Sequence, residues 1–247
     1  MLCSLSLLSS VALAQSTLVV PVGRVAVIAP QQAPTELAID RPDVLSVQPV
    51  MPWLIATGKT AGSATLRVLH EGGEHRWSVT VDPDATAPSG GSVLDQPTVA
   101  VSLAVDDGVL LPWPADATAL SVVAPGRVTA QRFGERWLWL QGDGAGVSDV
   151  VVERGEEVPQ IYTVTVGRAG PAPEGAVEPG DPIELTTGGR VALPGKVPAG
   201  WIVGRRERVI LQADTSLWLT GGRPGRSWVV LGYEDGSVSV RPVTVVP

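Results

Sequence analysis

Short apolar runs separated by Gly, Pro and charged residues set the rhythm of this chain. Leu18-Val19-Val20, Ala64 to Leu69, Trp77 to Val81, Asp149 to Glu153 and Ser227 to Leu231 are rich in Val and are bounded by turn-forming residues. No window sustains apolar positions at i, i+3, i+4 and i+7 without an interrupting Gly or Pro, so the pattern predicts strands rather than long helices. Turn formers are dense, with 28 Gly and 22 Pro in 247 residues. An all-β chain is expected.

The runs recur in register. Trp53-Leu54-Ile55-Ala56-Thr57-Gly58 leads into Gly62; Trp137-Leu138-Trp139-Leu140-Gln141-Gly142 leads into Gly146; Ser216-Leu217-Trp218-Leu219-Thr220-Gly221 leads into Gly225. In each copy a second strand follows, then a charged turn (Glu71 to Glu74, Arg154 to Glu157, Glu234 to Gly236). A closing strand ends near Val81, Val166 or Val245. A unit repeated in this way predicts a tandem array. The expected organisation is a signal segment over 1–14, a β module over 15–83, a linker over 84–96, a second module over 97–167, a Pro/Gly linker over 168–180 and a third module over 181–247. Each module is read as a small antiparallel, Ig-like β-sandwich.

Two residue types carry structural expectations. The pairs Gly58/Gly62, Gly142/Gly146 and Gly221/Gly225 are read as turn glycines that permit positive φ between two core strands. Trp53, Trp137 and Trp218 are read as core anchors, because modules this small must fill their interiors efficiently. Alternation places Trp137 and Trp139 on one face of their strand.

The first copy resembles a known family. Pro42-Asp43-Val44-Leu45-Ser46-Val47 and Thr57-Gly58-Lys59-Thr60-Ala61-Gly62-Ser63-Ala64-Thr65-Leu66, with a strand opening at Leu18 to Gly23, are similar to the N-terminal domain of bacterial pilus-formation proteins. In that family the domain precedes the secretin of Tad/Flp-type pili and of type II and III secretion systems. No secretin segment follows the third copy. The resemblance therefore implies a periplasmic accessory or scaffold part of a pilus or secretion apparatus, with protein partners such as a secretin or pilus component, and not a pore. Bacterial Ig-like adhesin modules carry a comparable glycine turn and stand as the alternative.

Charge and cysteine narrow the classes further. The formal charge is −7, with Lys59 and Lys196 the only lysines, which argues against nucleic acid as a partner. Leu2 to Leu13 is apolar and Ala12-Leu13-Ala14 has the small-x-small form of a cleavage site, so export is expected. No basic residue precedes that stretch, which is read as a translation start lying upstream. Cys3 is the only cysteine, so a processed chain has no disulfide, thiolate metal site or thiol nucleophile. Elsewhere no apolar run is long enough to span a membrane as a helix. The periplasm or envelope of a Gram-negative bacterium fits these features.

Residues that invite chemistry read better as structure. Gly58-Lys59-Thr60 lacks the upstream glycine of a P-loop and is followed by a strand. His70-Glu71-Gly72-Gly73-Glu74-His75 is a charged turn, and Asp106-Asp107-Gly108 and Glu234-Asp235-Gly236 are hairpin turns. Arg205-Arg206-Glu207-Arg208 is read as a solvated strand edge. No catalytic residue, metal site or cofactor is expected, and the chain is read as non-enzymatic, with an adhesin or wall- and glycan-binding module as the alternative to a scaffold.

Overall fold

The computed structural model describes residues 15–95 and 98–247; the expected export signal lies outside the described residues. Among those residues the chain is all strand and turn, and it divides into two compact units between Asp95 and Gln96. The first unit holds one module and the second holds two.

The first module contains β1 (Gln15–Pro21), β2 (Val25–Ile28), β3 (Glu36–Ile39), β4 (Leu45–Val50), β5 (Trp53–Gly58), β6 (Gly62–His70), β7 (Gly73–Asp82) and β8 (Ser89–Gly90). One sheet has the order β3-β6-β7-β1-β8 and the other β2-β5-β4. The β6–β7 hairpin turns at Glu71-Gly72, and its alternation sends Ala64, Leu66, Val68, Trp77, Val79 and Val81 into the core. Leu54 and Ala56 of β5 meet them from the other sheet.

The second module repeats this plan with β9 (Thr98–Ala104), β10 (Gly108–Pro112), β11 (Ala119–Val122), β12 (Val128–Phe133), β13 (Trp137–Gly142), β14 (Gly146–Arg154) and β15 (Glu157–Gly167), in sheets β11-β14-β15-β9 and β10-β13-β12. The third follows with β16 (Ile183–Thr186), β17 (Arg190–Leu193), β18 (Gly200–Val203), β19 (Val209–Ala213), β20 (Leu217–Gly221), β21 (Gly225–Gly232) and β22 (Val238–Val246), in sheets β16-β22-β21-β18 and β17-β20-β19. The Ig-like sandwich expected from the sequence is therefore present three times. One pair per module is parallel rather than antiparallel: β1 with β7, β9 with β15 and β16 with β22. The reason is topological, because the first strand of each module crosses at a turn into the second sheet instead of closing a hairpin.

The paired glycines divide their work, which corrects the reading that both need positive φ. Gly62, Gly146 and Gly225 have φ of 151°, 132° and 135°. Gly58, Gly142 and Gly221 do not, and they are small because the crossing first strand passes over them. A Cβ on Gly58 would lie 2.6 Å from the Pro21 carbonyl oxygen, one on Gly142 2.8 Å from that of Ala104, and one on Gly221 against that of Thr186. The same crossing is tied by Gly23 N–H to Gly58 O, Asp106 N–H to Gly142 O and Gly188 N–H to Gly221 O, each at 2.8 Å.

The tryptophan expectation also needs correction. Leu54/Ala56, Leu138/Leu140 and Leu217/Leu219 occupy the module cores, so alternation turns Trp53, Trp137 and Trp218 to the opposite, outer face of their strand. All three are half-buried rather than core residues.

The stretches expected as linkers are packed. Ser89 and Gly90 pair with Val19 and Leu18, and Val93 bridges to Ile28 and joins the first core. After the second module, Gly170 donates to Ser102 O, Val177 to Leu110 O and Gly180 to Val240 O. That segment thus runs along both flanking modules and holds them together.

Candidate functional site

The outer face of the β10-β13-β12 sheet does not end in solvent. Leu110 and Trp139 lie side by side in register on neighbouring strands, and both are fully buried. Against them pack Ile202, Trp228, Val230 and Val240 from the outer face of the four-stranded sheet of module 3, with Phe133, Trp137, Val177 and Val238 at the margin. The two indoles of Trp139 and Trp228 meet at 6.1 Å between centroids, tilted by 59°. Gly108 makes this possible, since a Cβ there would collide with the Trp139 ring. Aromatic side chains of this size each bury about 150–250 Å², so the pair supplies much of the apolar contact that fixes the joint.

A polar clamp closes one side. Asp106, at φ 67°, turns the chain from β9 in one sheet to β10 in the other. Its carboxylate accepts from Arg205 Nε at 2.8 Å and from Arg208 at 2.6 Å, while its carbonyl accepts from Trp228 Nε1 at 3.1 Å. Arg205 also reaches Asp143 at 3.1 Å, and Asp143 is held by Thr129 Oγ1 at 2.6 Å and Gln141 Nε2 at 3.3 Å. Arg208 donates to the Arg226 carbonyl at 2.7 Å as well. Burial pushes the Asp106 carboxyl up, but hydrogen bonds from Arg208 and Arg205 outweigh it and leave the pKa below its ordinary value. Two guanidinium groups on one carboxylate form a charge-assisted, directional contact that sets the angle between modules.

These positions revise several expectations. Arg205 and Arg208 are structural ligands of the joint, not a solvated edge; Arg206 and Glu207 are exposed as expected. Asp106-Asp107-Gly108 is a crossing between sheets and not a hairpin, whereas Glu234-Asp235-Gly236 does close the β21–β22 hairpin, with Asp235 accepting from Ser237 N–H at 2.9 Å. His70 and Gly72 lie in the β6–β7 turn, but His75 is buried, stacked on Trp77 at 3.9 Å and within 3.1 Å of Ser16 Oγ through Nε2. Glu74 is gripped by Arg67 and Arg76, whose hydrogen bonds bring its pKa down to about 2. Lys59 Nζ is given to Pro42 O at 3.0 Å and Thr60 Oγ1 to Asp43 O at 2.9 Å, so Gly58-Lys59-Thr60 serves as a turn clip.

Trp228 and Asp143 were not singled out in the sequence. A signal existed for Trp228: the unbroken run Trp228 to Leu231 has apolar residues on both strand faces, the mark of a strand covered on both sides. Nothing local marks Asp143. Beside the joint, an open cleft of about 480 Å³ is lined by Phe133, Trp137 and Tyr233 together with Glu135, Arg136 and Asp235.

No curated protein matches the chain in sequence. Among solved structures, the I67–I69 fragment of titin is 11% identical over 95% of this chain and 97% of its own, with a TM-score of 0.19. Domains 4–9 of the surface layer protein SbsC are 15% identical over 87% of this chain and 40% of theirs, with a TM-score of 0.26. An endo-fucoidan hydrolase of glycoside hydrolase family 107 is 13% identical over 86% and 39%, with a TM-score of 0.23. The chain thus spans about two fifths of the length of the latter two proteins, and at these scores none of the three bears on what it does. Residues 14–82, the module that carries the Pro42 to Val47 and Thr57 to Leu66 segments, match the family of the pilus formation protein N terminal region.

Proposed function

We propose that this chain is a non-enzymatic, exported scaffold component of a pilus or secretion assembly in the envelope of a Gram-negative bacterium, with other proteins of that assembly as partners. The observation that carries the proposal is the family match over residues 14–82. The polar residues are consistent with it, because those most suggestive of chemistry are committed to structure. Asp106 is clamped by two arginines, Lys59 is tied to the Pro42 carbonyl, and His75 is packed on Trp77. A rigid pair of sandwiches following the family module would serve as a spacer that holds partner sites at a set separation. Deletion of the gene tests this: loss of pilus assembly or of substrate secretion, restored by the chain but not by one lacking residues 15–82, is expected. Normal pili and secretion in the deletion strain would contradict it.

One observation favours a second reading, a glycan-binding module. The cleft beside the joint is lined by Phe133, Trp137 and Tyr233 together with the carboxylates of Glu135 and Asp235, a combination suited to stacking on a sugar ring and accepting hydrogen bonds from its hydroxyls. Binding on a glycan array that is lost in Trp137→Ala would support it, and an array without hits would remove it.

A further inference from the structure

The three modules treat one sheet edge differently. In each three-stranded sheet the strands β4, β12 and β19 occupy the same edge, one neighbour short of a full ladder. The turns ahead of them are equivalent: Leu45 N–H returns to Arg41 O, Val128 to Ala124 O and Val209 to Arg205 O. Counting from those turns, Pro49, Arg132 and Ala213 hold the same place. That place faces outward. Gly222 N–H donates to Arg208 O, and the alternation of an antiparallel ladder then turns Ile210 and Gln212 toward β20 while the N–H and C=O of Leu211 and Ala213 point away.

Two modules blunt this edge by recognised means. Pro49 has no N–H to offer an incoming strand. Arg132 sets a charge on the edge, its guanidinium lying 5.2 Å over the Trp113 ring. Module 3 has neither device. Val209-Ile210-Leu211-Gln212-Ala213 contains no charge and no proline, and Ile210 is 50% exposed on the outer face. An uncharged, regular edge of this kind is a template for strand pairing.

The geometry points to β19 as a dimerisation edge that pairs antiparallel with β19 of a second copy of this chain about a two-fold axis at Leu211. Self-pairing suits the segment. Centring on Leu211 brings together the residues whose backbone groups face outward: Leu211 with Leu211 of the second copy, and Val209 with its Ala213. The leucines exchange N–H···O=C bonds, and each Ala213 N–H meets a Val209 carbonyl; the Val209 N–H is already given to Arg205 O at 3.1 Å. On the outer face Ile210 lies opposite Gln212 of the second copy, covering an exposed aliphatic side chain. At the ends Arg208, whose guanidinium is held by Asp106, comes opposite Asp214, so no like charges are juxtaposed. The interface is isologous, so it closes at two copies instead of growing into a fibre. The proposal is independent of the pilus reading, since it rests on the edge alone.

Sedimentation equilibrium on the full chain tests it. Twice the mass of one chain at high protein concentration, dissociating on dilution, is expected. Ile210→Lys and Ala213→Pro each weaken self-association by at least about tenfold, the equivalent of a backbone hydrogen bond or more. Ile210 points away from the core, so Ile210→Lys leaves the fold intact. Register is tested separately in a Cys3→Ser background, by mixing Ile210→Cys with Gln212→Cys chains under oxidising conditions. Non-hydrogen-bonded neighbours of an antiparallel pair lie within disulfide reach, so disulfide-linked mixed dimers are expected. A chain that stays monomeric at every concentration, a dimer indifferent to both substitutions, or a failure of the mixed cysteines to link would overturn the proposal.

Discussion

The indole N–H of Trp228 donates to the backbone carbonyl of Asp106 at 3.1 Å, joining the four-stranded sheet of module 3 to the crossing turn of module 2. Asp106 is thereby held through both its carbonyl and its carboxylate, and Trp228 through both its ring face and its nitrogen. Removing the indole takes away the apolar contact with Trp139 and leaves the Asp106 carbonyl without this donor. Trp228→Ala is expected to cost about 3–5 kcal/mol in the stability of the 98–247 unit. Urea unfolding followed by Trp fluorescence checks this. Limited proteolysis should show new cleavage within 168–180, since that segment is pinned to both modules.

The glycine crossing gives a second expectation. Gly142→Ala brings a methyl within 2.8 Å of the Ala104 carbonyl oxygen and of Val166, both of which are fixed by the sandwich. The overpacking should cost about 1–3 kcal/mol. Gly167→Ala meets nothing within 4 Å and serves as the control, with a change within about 0.5 kcal/mol. Equal effects in the two variants, measured by thermal unfolding, would contradict the crossing.

Acid sensitivity of the joint follows from Asp106. Its folded pKa lies below the ordinary 3.8, so its contribution is complete above that value and is lost as pH falls through the lower, folded one. Asp106→Asn tolerates the same positive φ while removing the charge. The stability gap between wild type and Asp106→Asn should be constant from neutral pH down to the ordinary carboxylate range and then shrink. Urea midpoints across that range read it directly.

Module 1 should respond to pH in a different window. Burial, with a smaller effect from the His70 charge, depresses the pKa of His75 below the ordinary 6.5. The unfolded chain therefore binds the proton first, and stability declines as pH drops from 6.5 toward the folded value. His75→Phe should flatten that slope. NMR titration of the His75 ring checks the direction of the shift.

The succession of strands and turns that closes each module was legible in the sequence, because the glycine pairs, the charged turn and the closing Val-rich strand recur in fixed register. The family resemblance of the first module was legible in its own segments, Pro42 to Val47 and Thr57 to Leu66. What the tryptophans do was not. Trp137 and Trp139 were correctly placed on one face, but local alternation does not say which face is the core when both are covered. Leu138 and Leu140 point inward, and the outward face is buried only because another module lies on it. The clamp was hidden for a related reason: Asp106 and Arg208 are far apart in sequence, and each read locally as a turn or an edge. The equivalence of Arg41 to Leu45, Ala124 to Val128 and Arg205 to Val209 was hidden too, because only backbone bonding is shared.

Residual dipolar couplings of backbone amides in residues 98–247 provide the most direct check that modules 2 and 3 form a single rigid body joined at Trp139, Trp228 and the Asp106 clamp. One alignment tensor should fit both modules in the wild type. Two tensors of different magnitude or orientation would mean that they move independently, and the joint would then not exist in solution.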